Sequence, residues 1–148
     1  MNHRRLALAA VGAFVVDVAY GFVAWRVVMG DRMVGNPVFR PDADVNAMLP
    51  VVFLGALIGL FALAYIFAKG YEGGPGWVEG IRFGALLGVF VVAFIHPGVY
   101  ATFAVDLDLA LMAAGLSFVE MVLIGTVIGA LYRPTVRQVA TPTATASF

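Results

Sequence analysis

Apolar residues in this chain fall into four long runs, separated by short polar or glycine-rich breaks. The runs cover about Leu6–Met29, Met48–Ala68, Gly80–Phe103 and Leu107–Tyr132. Each reaches the roughly 20 residues that an α-helix needs to cross about 30 Å of hydrocarbon. None shows the sustained period-two alternation of a half-buried strand. In lipid the backbone polar groups have no water partners, so runs of this length must be helical. The pattern predicts an all-α chain, a four-helix transmembrane bundle over residues 1–133, followed by a disordered cytoplasmic tail over 134–148. The tail reads VRQVATPTATASF from Val136, a Thr/Ala-rich composition that buries no core.

The breaks carry start and stop signals. Asp31 to Ala47 is polar and holds Pro37, Pro41, Asp42, Asp44 and Asn46. Asp44 or Asn46 is expected to cap the second helix, with Pro50 in its first turn. Gly70 to Gly76 reads GYEGGPG, a tight turn without the Lys-Ser/Thr of a phosphate loop. Tyr71 and Trp77 flank it as interface anchors. Asp106 or Asp108 can cap the fourth helix, and Pro134 ends it. His3, Arg4 and Arg5 precede the first run as in a signal peptide, but no small-x-small cleavage site follows, so a retained first helix is expected.

Composition agrees with lipid as the solvent: 62% of residues are hydrophobic and 12% are charged, against about 45–50% and roughly 25% in soluble domains. Nine basic residues balance nine acidic ones, which gives no reason to expect a nucleic-acid partner. The partners expected are the bilayer and either a second copy of the chain or a larger membrane complex. The chain has no cysteine, which removes disulfides, thiolate catalysis and Cys-based metal sites. The N-terminus, second loop and C-terminus carry Arg4, Arg5, Lys69, Arg82, Arg133 and Arg137, whereas the first and third loops carry Arg26, Arg32 and Arg40. The positive-inside rule then predicts both termini in the cytoplasm, with the chain in the cell (inner) membrane.

Helices in lipid gain little from apolar burial, so close backbone approach decides packing. Gly55 and Gly59 in the second run, Gly80, Gly84 and Gly88 in the third, and Gly125 and Gly129 in the fourth all recur at four-residue spacing. All seven are candidate helix-packing positions. Gly55–Ile66 (GALIGLFALAYI) also resembles Gly84–Ile95 (GALLGVFVVAFI). An inverted repeat would produce such a match, and so would convergence of a Gly/Ala/Leu/Val composition, the reading preferred here.

Ionisable side chains inside a bilayer are expensive and face a partner or a cavity. Asp17 lies midway along the first run, Glu120 midway along the fourth, and His96 in the outer half of the third. Their depths from the cytoplasmic helix ends come to roughly 17, 18 and 21 Å, so all three are expected at one level. Ala10, Ala13, Asp17, Tyr20, Gly21 and Ala24 share one helical face, as do Ala113, Ser117 and Glu120. No Lys or Arg is expected at that depth, and two close carboxyls tend to share a proton. Asp17, Glu120, His96, Tyr20 and Ser117 are therefore candidates for binding a proton, a cation or a hydrogen-bonding ligand. The plainer reading is a hydrogen-bonded polar plug that fixes helix register. Pro97 after His96 removes a backbone donor and is expected to kink the third helix. A b-type haem needs two membrane histidines and only His96 qualifies, so no cofactor is expected. One His with two acids selects no particular metal, and no nucleophile–base pair supports an enzyme.

Phe14-Val15-Val16-Asp17 with Tyr20-Gly21, Phe118-Val119-Glu120 with Gly125, and Gly84-Ala85-Leu86-Leu87-Gly88 together resemble a family of small bacterial four-helix membrane proteins of unknown function. That family carries a mid-helix aspartate in its first and fourth helices; Glu120 stands where the second would be. The resemblance covers about Arg5 to Arg133 and implies the four-helix topology. The longer first outer loop and the His96-Pro97-Gly98 break depart from it.

Overall fold

A computed structural model describes residues 2–132. The expectations for Arg133, Pro134, Arg137 and the 134–148 tail lie outside the described residues. Within them the secondary structure is entirely helical: α1 (His3–Val28), the short α2 (Gly30–Met33), α3 (Asp42–Gly70), α4 (Gly76–Thr102) and α5 (Leu107–Leu131). Helices α1, α3, α4 and α5 are long and apolar enough to cross a membrane. At 25–29 residues and about 1.5 Å per residue, each outreaches a 30 Å hydrocarbon slab, which tilt or protrusion accommodates.

Several boundaries differ from the expected ones. Helix α3 starts at Asp42, after Pro41, and not at Met48. Asp44 and Asn46 therefore lie inside the helix, and Pro50 sits in its interior. The physical reason is that Asp42 and Asp44 favour the positive end of the helix dipole, so the helix runs past its apolar segment into the polar loop. Asn46 is used differently: its amide oxygen accepts from Arg26 at 3.4 Å. Helix α4 starts at Gly76, four residues before the expected start. At α5, Asp106 occupies the cap position without a capping hydrogen bond, and Asp108 pairs with Arg32 at 2.5 Å. That pair and Arg26–Asp42 at 2.9 Å tie helix ends together. All four side chains are well exposed, where such pairs contribute about 0–1 kcal/mol.

Two spans contain π-helical turns, Phe22–Val28 in α1 and Val91–Ile95 in α4. The second takes the place of the kink expected at Pro97. Proline cannot donate to the Ala93 carbonyl, and the ladder loosens just before it, with His96 N–H donating to the Val91 carbonyl five residues back.

Helix α5 lies at the centre, packed on α4 along one side and on α1 along the other; α3 packs on α1 and touches α5 more lightly. The α4–α5, α1–α5 and α1–α3 pairs run antiparallel, and α3 runs parallel to α5. The end holding His3, Lys69, Gly76 and Leu131 is termed proximal, and the end holding Val28, Asp42, Thr102 and Leu107 distal. Ala9, Ala10, Ala13, Leu60, Ala64, Phe67, Ile124, Ile128 and Tyr132 form the buried core, in the proximal half. There the Phe67 ring meets those of Phe83 and Tyr132 edge-on, bridging α3 to α4 and α5.

The α4–α5 contact is glycine against glycine. A Cβ built on Gly125 would sit 2.6 Å from the Gly84 Cα, one on Gly129 2.8 Å from the Gly80 Cα, and one on Gly88 2.6 Å from the Phe118 ring. Gly76 extends the same seam against the Gly129 carbonyl. Gly55 and Gly59 depart from expectation, because a Cβ on either would meet nothing within 4 Å. Their spacing is right, but the buried stripe of α3 runs through Leu60, Ala64 and Phe67, which leaves both glycines off the contact.

The GYEGGPG turn is organised by a residue absent from the sequence reading. The Glu79 carboxylate, in the first turn of α4, accepts from the backbone N–H of Glu72 at 3.0 Å and from that of Gly74. Tyr71 donates its hydroxyl to the Gly74 carbonyl at 2.5 Å, and Gly73 takes a left-handed φ of 99° that glycine adopts without strain.

Candidate functional site

Asp17 continues the Ala10–Ala13 stripe of α1 one turn further toward the distal end, and Glu120 continues the Ile128–Ile124 stripe of α5 in the same way. Because α1 and α5 pack antiparallel, the two stripes face each other and the carboxyl groups come within hydrogen-bonding reach. Such a contact needs a proton between them, since two carboxylates offer only acceptors. Both side chains are half-buried, near the midpoints of their helices.

Tyr20 lies one turn beyond Asp17 and donates its hydroxyl to the Leu116 carbonyl at 2.8 Å. Leu116 is four residues before Glu120, so this carbonyl also receives the Glu120 backbone N–H of the α-helix. Tyr20 thus clamps α1 to the turn of α5 that carries Glu120. Ser117 lies on the Glu120 face, three residues toward the distal end, and is half-buried.

His96 does not join this group, which corrects the expectation of three titratable residues at one level. Gly88 packs on Phe118; Glu120 lies just proximal to that contact, whereas His96 lies more than two turns distal to it. The separation along the axis is about 15 Å. The error has a definite origin. The early start at Gly76, fixed by the seam against Gly129, moves the whole of α4 distally relative to a helix starting at Gly80. Among the described residues no Lys, Arg or His forms an ion pair with either carboxyl. Arg82, the basic residue nearest in level, is exposed on the face of α4 opposite Gly80 and Gly84.

Burial along the stripes is interrupted at the carboxyl level. Proximal to it, Ala13, Leu60 and Ile124 are buried; distal to it, Ala24, Met29 and Leu109 are buried again. Between these layers lie Asp17, Tyr20, Ala113, Ser117 and Glu120, all partly exposed, while Ala114 beside them is buried. Ala113 and Ser117 keep the side chains of α5 small there. A separate depression of about 360 Å³ lies at the proximal end, between Tyr71, Trp77 and Gly129; it is remote from the acid pair. Among the described residues no cluster of three His, Cys, Asp or Glu side chains is placed to hold a metal ion.

The fold and the acid pair together define a class: an all-helical chain with four candidate membrane-crossing helices and a carboxyl pair midway along two of them, a pattern that fits a multi-pass membrane protein. Comparison with protein-family models, with curated proteins and with solved structures finds no match for this chain.

Proposed function

We propose that this protein is a small-molecule or ion binding and permeation bundle of a bacterial inner membrane, in which Asp17 and Glu120 act as one proton-titrating, ligand-contacting pair. The carrying observation is the meeting of two carboxyls from different helices, with no basic partner among the described residues, at a level where burial is broken. A group costing several kcal/mol to desolvate is poor glue compared with an apolar pair. Tyr20 and Ser117 complete the site. His96 stands apart from it, toward the distal surface. Both termini face the cytoplasm, since in the sequence the N-terminus, second loop and C-terminus carry more Lys and Arg than the first and third loops.

Binding or flux measured across a pH series in reconstituted protein tests this. Asp17→Asn and Glu120→Gln should each abolish the pH-dependent part of the signal while both variants elute as the folded wild type does. An unchanged signal in either variant contradicts the proposal.

A second reading, a structural or assembly subunit of a larger membrane complex, is favoured by Gly55 and Gly59, which present an open, small-residue face on α3. Co-purification with one fixed partner, lost in Gly59→Leu but indifferent to the two carboxyl substitutions, would establish it instead.

A further inference from the structure

We infer that the cavity at the proximal end, between the start of α4 and the end of α5, binds an ammonium group at the level of the lipid headgroups. The site is separate from the acid pair and stands or falls without it.

The cavity is lined by Tyr71, Gly74, Pro75, Gly76 and Trp77 on one side and by Gly129 and Ala130 of α5 on the other. Its volume of about 360 Å³ lies at the lower end of the roughly 300–1,000 Å³ of small-molecule sites. Backbone fixes its floor, because a Cβ on Gly76 would collide with the Gly129 carbonyl. Its rim is fixed as well. Tyr71 donates its hydroxyl to the Gly74 carbonyl, and the Glu79 carboxylate holds the N–H groups of Glu72 and Gly74. The Tyr71 ring also packs on those of Phe67 and Tyr132. Walls held in place before a ligand arrives lose little freedom when it binds.

Three features of the lining select a cationic donor. Two walls are the π systems of Tyr71 and Trp77, and the faces of such rings attract ammonium groups. Trp77 is 57% exposed, so its ring is open to an incoming group. Next, α5 ends here, which brings the negative end of its dipole and its last carbonyls to the cavity. The α-helical donor to the Ala130 carbonyl would be residue 134, a proline with no N–H. That acceptor is lost to the helix and available to a ligand. Last, the charged side chains of the turn are Glu72 and Glu79. Glu79 occupies the first turn of α4, where it already complements the positive end of that helix and opposes a phosphate or carboxylate. Lys69 stands over the Tyr65 ring at 5.6 Å, Arg82 lies on the face of α4 opposite Gly80 and Gly84, and Arg133 is outside the described residues.

The glycine-rich turn lies just past the apolar runs of α3 and α4, where Tyr71 and Trp77 sit as headgroup-level aromatics do. An ammonium group at that depth belongs to a zwitterionic lipid headgroup or to a small soluble amine; the chemistry that recognises it is the same.

The test reads Trp77 directly. The chain has two tryptophans, so full-length Trp25→Phe protein leaves Trp77 as the sole emitter. In phosphatidylglycerol nanodiscs, whose lipid carries no ammonium, it is titrated with tetramethylammonium chloride and ethylammonium chloride. Sodium chloride and sodium phosphate at matched ionic strength are the controls. Both ammonium ions should change Trp77 emission saturably and both sodium salts should not. Ala130→Leu, which fills the cavity, should weaken the ammonium response by about tenfold, and so should Tyr71→Leu, which removes one ring. Circular dichroism and elution matching the parent establish that each variant is folded, and either one suffices. Replacing half of the lipid by phosphatidylethanolamine separates the sources. A weakened tetramethylammonium response assigns the group to a lipid headgroup, an undiminished one assigns it to a soluble amine, and both uphold the site. No saturable response to either ammonium ion, or a response equally strong in the folded variants, overturns the inference. A saturable response to phosphate without one to ammonium overturns the ligand class.

Discussion

At the scale of single residues, the Tyr20 hydroxyl has a role separable from its ring. It donates to the Leu116 carbonyl across the α1–α5 interface, and interhelical hydrogen bonds in membranes average about 0.6 kcal/mol. Tyr20→Phe should therefore lower unfolding free energy by roughly that amount, while any pH-dependent binding shifts because the Glu120 turn is held less firmly. Steric-trapping or mild-detergent unfolding reads the first effect and the binding titration the second. Glu79 makes a sharper case, since its carboxylate serves two loop N–H groups. Glu79→Ala should cost about 1–2 kcal/mol, as losses of N-terminal caps do, and should speed amide exchange at Glu72 and Gly74 selectively. Asp17 and Glu120 are legible from sequence because an acid in the middle of an apolar run has no cheap explanation. Glu79 was not legible: the helix cap is Pro75 and Glu79 is the fourth helical residue, so no Ser/Thr-x-x-Glu capping box marks its reach back to the Glu72 and Gly74 N–H groups.

At the scale of helices, the four apolar runs announce themselves, but their ends do not. Polar residues at α3's start join the helix for dipole reasons, and Gly76 joins α4 because a neighbour's glycine meets it; hydropathy senses neither. Gly55-x3-Gly59 and Gly84-x3-Gly88 look alike in sequence yet differ in place, one open and one sealed against α5. The longer similarity between their segments ends the same way, with a continuous α-helix in α3 and a π turn in α4. This favours compositional convergence over a repeat. The spacing names a helix able to pack closely and is silent about which partner takes the offer. Gly84→Val, whose side chain would collide with backbone atoms of Met121 and Val122, should destabilise by about 1–3 kcal/mol or more. Gly59→Ala should be neutral within about 0.5 kcal/mol. Thermal midpoints in detergent compare the two directly.

At the scale of the whole molecule, the bundle is tight where α4 and α5 join and at the proximal core, and loose between the distal halves of α3 and α4. The acid pair sits where these regions meet. That juxtaposition was not readable from the chain, because it depends on the relative register of the helices, set between α4 and α5 by glycine contacts and between α1 and α5 by the Ala9, Ala10 and Ala13 stripe. The same register removes His96 from the pair despite its similar apparent depth.

The central claim is that Asp17 and Glu120 behave as one coupled group. Infrared spectroscopy of the protonated-carboxyl stretch, followed through a pH titration of the wild type, Asp17→Asn and Glu120→Gln in lipid, tests it most directly. A coupled pair predicts that each substitution alters the band and titration of the carboxyl that remains. Two bands that titrate independently, each vanishing only with its own residue and leaving the other unmoved, would contradict it.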